Sequence, residues 1–208
     1  MDNRKANDEK WTRRSSDYDE AKFGHFRLMQ KELIDGIDLD EADAFLDVGC
    51  GTGWAVEYLY GKKGGSGTFH GIDIARGMIE RAERLRTKAE NVRFAVADAA
   101  DIPLEDGSID VLICTNSFHH YPEPEKAVRE FVRILRPGGR FYVLDVTADD
   151  VFLRAVNAVV RKREAAHVNF YSSREFQRMI AAAGAEYEQR RLGRFRYPMK
   201  IHVGGKRL

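Results

Sequence analysis

The chain has 208 residues, of which 43% are hydrophobic and 32% charged, with a formal net charge of +1 at pH 7. That balance suits one globular domain with a continuous core and excludes a disordered or membrane-embedded chain. No run approaches the roughly 18 apolar residues that span a bilayer. The polar opening MDNRKANDEKWTRRSSDYDE has no signal-peptide core, so a cytoplasmic protein is expected.

The charge is unevenly spread. Residues 1–150 carry 21 basic and 29 acidic side chains (net −8), and residues 151–208 carry 13 and 4 (net +9). The basic portion reads either as a surface for an anionic substrate or nucleic acid, or as a solvated face without a partner. Cys50 and Cys114 fall in strand contexts and read as buried thiols. The six histidines show no ligand spacing beside them, so no metal site is expected.

In chain order, residues 1–16 read as a flexible terminus. A helical period runs from Asp17 to Gly36, with Phe26, Met29 and Leu33 on one stripe. Ala44–Val48 is a first strand and Trp54–Tyr60 a helix, which KKGGSG breaks. Thr68–Ile74 is a second strand, followed by a helix over Arg76–Lys88. Asn91–Asp98 and Ile109–Ser117 are the third and fourth strands, the latter apolar enough to be covered on both faces. The helix EKAVREFVRIL ends at Pro137-Gly138-Gly139, and Arg140–Val146 is a fifth strand. A helical stretch from Asp149 to His167 has no place in the minimal sheet. Ser172 and Glu175 form a capping box for a helix that Gly184 closes, and two strands lie around Gly193–Pro198. Strands alternating with helices define an α/β fold with a doubly wound, mostly parallel sheet, and no repeat or long linker divides it.

The strongest feature is FLDVGCGTG, Phe45–Gly53. Gly49, Gly51 and Gly53 alternate between a buried strand and a helix, where a ligand can approach backbone amides closely. Trp54 follows in place of the Lys-Ser/Thr of a phosphate loop, and the spacing differs from G-x-G-x-x-G, which leaves a dinucleotide enzyme as a minor alternative. Asp73 ends the second strand, where a carboxylate can accept both hydroxyls of a ribose. Asp47, Asp73 and Asp98 stand at the carboxyl ends of consecutive strands, the edge at which open α/β sheets bind ligands. Each alone reads equally well as a loop or helix cap.

FLDVGCGTG, HGIDIARGMIERA and VADAADIPLEDGSIDVLICTNSFHHYPEPEKAVREFVRILRPGGRFYVLD together resemble the class I S-adenosylmethionine-dependent methyltransferases, in particular the small-molecule branch that includes the quinone-biosynthesis enzymes. The resemblance is specific over roughly residues 42–147 and looser to residue 208. It implies a seven-stranded Rossmann-like sheet with an antiparallel last strand, matched by KIHVGGK at Lys200–Lys206, and a single methyltransferase domain over residues 17–208. It implies S-adenosylmethionine as cofactor. Asp47 and the amides of Gly49, Cys50, Gly51 and Gly53 would hold its methionine moiety, and Asp73 its ribose. Ile74, Met78, Asp98 and Ala99 would meet the adenine, while Asn116 and Ser117 would lie near the sulfonium.

Methyl transfer needs alignment more than a fixed catalytic group, and a base helps only with phenols, hydroxyls or acidic carbons. His119 and His120, just past the fourth strand, are the candidate catalytic residues. They read equally as residues held by hydrogen bonds to backbone. Segments 17–36, with Tyr18, Phe23 and His25, and 151–171, with Phe152, His167, Phe170 and Tyr171, are expected to form a lid that recognises the acceptor. A small-molecule substrate, anionic or aromatic, is expected. Asn116-Ser117-Phe118-His119 replaces the N/D-P-P-Y/F signature of amino methyltransferases acting on DNA, and no RNA-binding module accompanies the arginines of the tail. An RNA or protein acceptor, and a cofactor-binding protein without turnover, stay open as alternatives. The sequence sets no oligomeric state.

Overall fold

A computed structural model describes residues 3–18, 24–191, 193 and 198–207. β1 (Ala44–Val48) is buried at all five positions. It lies between β2 (Thr68–Asp73) and β4 (Ile109–Thr115), parallel to both. β3 (Val92–Val96) pairs parallel with β2 at one edge, and its alternating exposure marks it as an edge strand. β5 (Leu135–Val146) extends the sheet beyond β4, and the antiparallel pair β7 (Met199–Gly205) and β6 (Glu186–Arg190) completes it. The order is β3-β2-β1-β4-β5-β7-β6.

Side chains that alternate along β1 feed two cores. Phe45 packs with Met29, Leu33 and Ile34 of α2 (Gly24–Asp35), with Ala55, Val56 and Leu59 of α3 (Trp54–Lys62), and with Ile79 of α4 (Arg76–Leu85). Leu46 and Val48 face the other way, toward Ala127, Val128, Phe131 and Ile134 of α5 (Pro124–Ile134) and Phe176 and Ile180 of α7 (Ser173–Ala182). The capping box forms as expected between Ser172 and Glu175. α6 (Val151–Arg163) buries only Leu153 and leaves Val151 and Phe152 exposed. Among the described residues no helix is long and apolar enough to cross a membrane.

Three expectations are corrected. Residues 3–14 form a helix, α1 (Asn3–Arg14), instead of a loose terminus. Its neighbours supply the reason. Asp8 and Thr12 accept the backbone N–H groups of Arg76 and Gly77 at 3.1 and 3.0 Å, so α1 satisfies orphan donors at the start of α4. Helix α2 begins at Gly24 rather than near Asp17. The Pro137-Gly138-Gly139 segment interrupts no strand: β5 begins at Leu135, and the register shift between its two pairings with β4 absorbs the extra residues as a bulge. Phe23, Arg194 and Arg196 lie outside the described residues.

Candidate cofactor site

At the carboxyl ends of β1, β2 and β4 the sheet opens on a cleft of about 710 Å³. Gly49, Gly51, Asp73, Ile74, Met78, Asp98, Ala99, Asn116, Ser117 and His120 all line it. Residues scattered over 72 positions of sequence thus meet because parallel strands deliver every following loop to the same edge.

The glycine loop hangs from β2. Gly49 and Cys50 donate their N–H groups to Ile72 O at 2.8 and 2.9 Å, and Gly51 N–H donates to Asp73 Oδ2 at 2.9 Å. Gly49 has φ +75°, and a Cβ there would meet Ser117 Oγ at 2.3 Å, so backbone conformation and space both require glycine. Asp73 Oδ1 accepts from Ala75 N–H at 2.8 Å. Burial pushes the Asp73 carboxyl up from its ordinary value, and the backbone amides of Ala75, Gly51 and Ile74 work against that push.

Asp47 is fully buried just beneath the loop, with no hydrogen-bond partner on either carboxylate oxygen. Burial, and then the nearby Asp73, push its pKa up to about 8. Asn116 adopts the left-handed conformation at φ +53°, and its buried Nδ2 has no partner. The strain and the unsatisfied amide of Asn116, on the cleft lining, are features that a bound ligand resolves. Ser117 Oγ and Tyr121 OH lie 3.0 Å apart and both donate to Val48 O, at 3.2 and 3.3 Å, tying the loop after β4 to the end of β1. Gln30 of α2 donates to Thr115 Oγ1 at 2.8 Å, bracing the same loop.

Four expected site residues fall outside the lining. Asp47 and Cys50 are buried beneath the loop. Gly53 caps α3, and a Cβ there would strike Phe94. His119 turns its ring onto Asp145, with Nδ1 at 2.8 Å from Oδ1, while its carbonyl accepts from Val168 and Asn169. His120 does face the cleft, with Nδ1 donating to Ala166 O at 2.6 Å. Its pKa lies well below the ordinary value because of burial and then the neighbouring His119.

The structure adds residues that the sequence concealed. Asn3, Arg4, Asn7 and Trp11 of α1 line the cleft, with Tyr121 and Pro122 from the loop after β4. Arg4 forms ion pairs with Asp98 and Glu123. Asn3 and Asn7 donate to Ala165 O and Ala166 O at 2.9 and 3.1 Å. Of the expected lid segments, Tyr18 lines the cleft and His25 is exposed away from it. Among the described residues none of 151–171 reaches the cleft lining. Their contribution is to carry α1. Trp11, alone among charged and polar neighbours, was the one available signal for a packed helix here.

This strand order, with its glycine loop at β1 and acidic residue at the end of β2, defines the class I methyltransferase fold. Residues 46–143 match the family model described as "Methyltransferase domain". Over those residues the chain is similar to the methyltransferase domain family, and its strand order is that of the class I methyltransferase fold. Curated relatives include methyltransferase GfsG of Streptomyces halstedii, 35% identical over 130 residues, covering 59% of this chain and 46% of the relative. The uncharacterized methyltransferase YcgJ of Bacillus subtilis is 36% identical over 122 residues, covering 57% and 48%. Demethylmenaquinone methyltransferase of Staphylococcus aureus is 27% identical over 179 residues, covering 86% and 71%. The chain spans about half the length of the first two. Among solved structures, a putative methyltransferase in complex with the Trm112 methyltransferase activator, from Haloferax volcanii, has a TM-score of 0.77 at 21% identity. That match covers 95% of this chain and 98% of the other.

Proposed function

We propose that the chain transfers the methyl group of S-adenosylmethionine to a small-molecule acceptor admitted beneath α1. The observation that carries this reading is the cleft itself: a glycine loop, the Asp73 carboxylate and the unsatisfied amide of Asn116 meet at one cleft. The cofactor, when bound, supplies an electrophilic methyl on sulfur. The chain's own residues supply position. Backbone amides hold both oxygens of Asp73 at the cleft, and the carboxylate accepts a ribose hydroxyl there. The turn at Gly49 and Gly51, which lines the cleft, faces the methionine end, and Ile74, Met78, Asp98 and Ala99 surround the base. Asn116 and Ser117 stand at the transfer end.

Collinear transfer needs water kept out. Trp11 and Tyr18, 6.1 Å apart edge to face, close that side of the cleft. Their rings and Tyr121 favour a flat, aromatic acceptor, in line with the Staphylococcus aureus relative, which is named for demethylmenaquinone. Of the two histidines, His120 is placed to touch the acceptor, whereas His119 acts through the loop its carbonyl holds.

Several cations of the tail are engaged within the chain. Arg190 pairs with Glu188, Lys200 with Asp149 and Arg207 with Glu186, while Lys206 donates to the carbonyls of Arg133 and Leu135. Methyl-labelled cofactor incubated with separate metabolite, RNA and protein pools tests the reading. Label in extractable small molecules supports it, and label in RNA or protein overturns the acceptor class. Cofactor binding without transfer to any pool reduces the chain to a binding protein.

A further inference from the structure

The loop between α6 and α7 brings His167 against the turn that carries His119 and His120. One ring nitrogen of each histidine lies within 4.8 Å of one from each of the others. Sequence spacing gives no hint of this, because His167 arrives 47 positions after His120. His120 joins the cluster to the cleft, which it lines.

One nitrogen of every ring is already committed to an acceptor. His119 Nδ1 faces Asp145 Oδ1 at 2.8 Å, and Asp145 is buried. His120 Nδ1 faces Ala166 O at 2.6 Å. His167 Nε2 faces Asn157 Oδ1 at 2.8 Å. The Asn157 amide is oriented unambiguously, since Phe170 N–H, which can only donate, also points at Oδ1 at 2.9 Å. Donation to these acceptors puts a proton on each committed nitrogen and leaves the other nitrogen of each ring as the candidate ligand atom. A carboxylate, a backbone carbonyl and a side-chain carbonyl behind three imidazoles is the outer shell that orients metal-bound histidines.

We propose that His119, His120 and His167 form a three-histidine site for a divalent transition metal of the zinc type. Three imidazoles and no carboxylate in the inner shell select zinc, cobalt or nickel over magnesium or calcium. Zinc–nitrogen bonds of about 2.0–2.1 Å require ligand nitrogens roughly 3.4 Å apart, so binding draws the three rings together by side-chain rotation. The ring of Phe170, 4.4 Å from that of His167 and 5.4 Å from that of His119, provides an apolar wall. On the other side, the Trp11 ring lies 5.5 Å from that of His120. Three protein ligands leave a fourth position for water or an oxygen of the acceptor. The site does not rest on the methyl-transfer reading, because its occupancy is measured without the cofactor.

The test uses the full chain, free of any affinity tag and stripped with a chelator, titrated with Zn²⁺ and with Co²⁺. Expected are one equivalent of Zn²⁺ by calorimetry and the visible absorption of four- or five-coordinate Co²⁺. His167→Ala and His120→Ala should each weaken Zn²⁺ binding by at least 100-fold, and His25→Gln should leave it unchanged. Long-range proton–nitrogen correlation spectra of the wild-type protein guard against variants that fail to fold. Zn²⁺ should shift Nε2 of His119 and His120 and Nδ1 of His167. Absence of saturable Zn²⁺ binding to the wild type, binding that survives His167→Ala, or a thiolate signature in the Co²⁺ spectrum would each overturn the proposal.

Discussion

Arg4 and Asp98, 94 residues apart in sequence, form an ion pair that ties α1 to the loop after β3. The same guanidinium reaches Glu123 at the start of α5, so one side chain fastens the helix across the cleft. Both partners are partly exposed, which places the contribution at or below about 1 kcal/mol. Arg4→Ala should therefore speed cofactor dissociation about 2–5-fold and leave the association rate nearly unchanged. Stopped-flow fluorescence of Trp11 reads both rates. An unaltered off-rate would show that α1 does not retain the ligand.

Gly49→Ala should fold poorly or lose cofactor binding. Its positive φ alone costs of order 1–3 kcal/mol for a side chain, and the new Cβ would meet Ser117 Oγ at 2.3 Å and Ser117 Cβ at 2.6 Å. Adding Ser117→Ala removes only the first clash, so the double variant should not recover. Recovery of affinity in the double variant would place the constraint in the hydroxyl and not in the backbone.

Asp47 makes a specific pH signature. Its folded pKa of about 8 exceeds the ordinary carboxylate value, so the folded state holds the extra proton between about pH 4 and pH 8. Stability from this group is present at low pH and lost as pH rises through that window. Asp47→Asn removes the dependence. The melting temperature of the variant minus that of the ligand-free wild type should grow from pH 5 to pH 9, and a difference that stays level would contradict the buried, unpartnered state.

His202 acts with the opposite sign. It is fully buried, stacked on Phe176 at 3.9 Å, and hydrogen-bonded through Nε2 to Thr147 and through Nδ1 to Tyr187. Burial lowers its pKa to about 3. The unfolded chain binds the extra proton between about pH 3 and pH 6.5, so stability is lost as pH falls through that range. His202→Gln should be less stable than wild type at pH 7 by about 1–3 kcal/mol, with the gap narrowing toward pH 4 in urea denaturation. A gap of constant size would mean that His202 does not titrate on unfolding.

The sheet was legible because β1 and β4 are apolar runs of strand length, and the capping box at Ser172 and Glu175 marked α7. The loop residues of the site were legible for a related reason: Gly49, Asp73, Asp98 and Asn116 each follow a readable strand, and parallel strands send their loops to one edge. Helix α1 was not legible. It buries only Ala6 and Asn7, so no apolar stripe announces it, and its place depends on partners such as Arg76, Gly77 and Ala166, far away in sequence. His167 was hidden for the same reason. The Pro-Gly-Gly segment misled in its own way, since the signal that ends α5 also begins a bulged strand.

Calorimetric titration with S-adenosylmethionine and S-adenosylhomocysteine, on wild type and Asp73→Ala, tests the central claim most directly. Both ligands should bind the wild type at one site. The variant, lacking a carboxylate that would accept ribose hydroxyls, should bind about 10–100-fold more weakly, as expected for charge-assisted hydrogen bonds of about 1.5–3 kcal/mol. A folded wild type that binds neither ligand, or an Asp73→Ala variant with undiminished affinity, would contradict the assignment of the cleft.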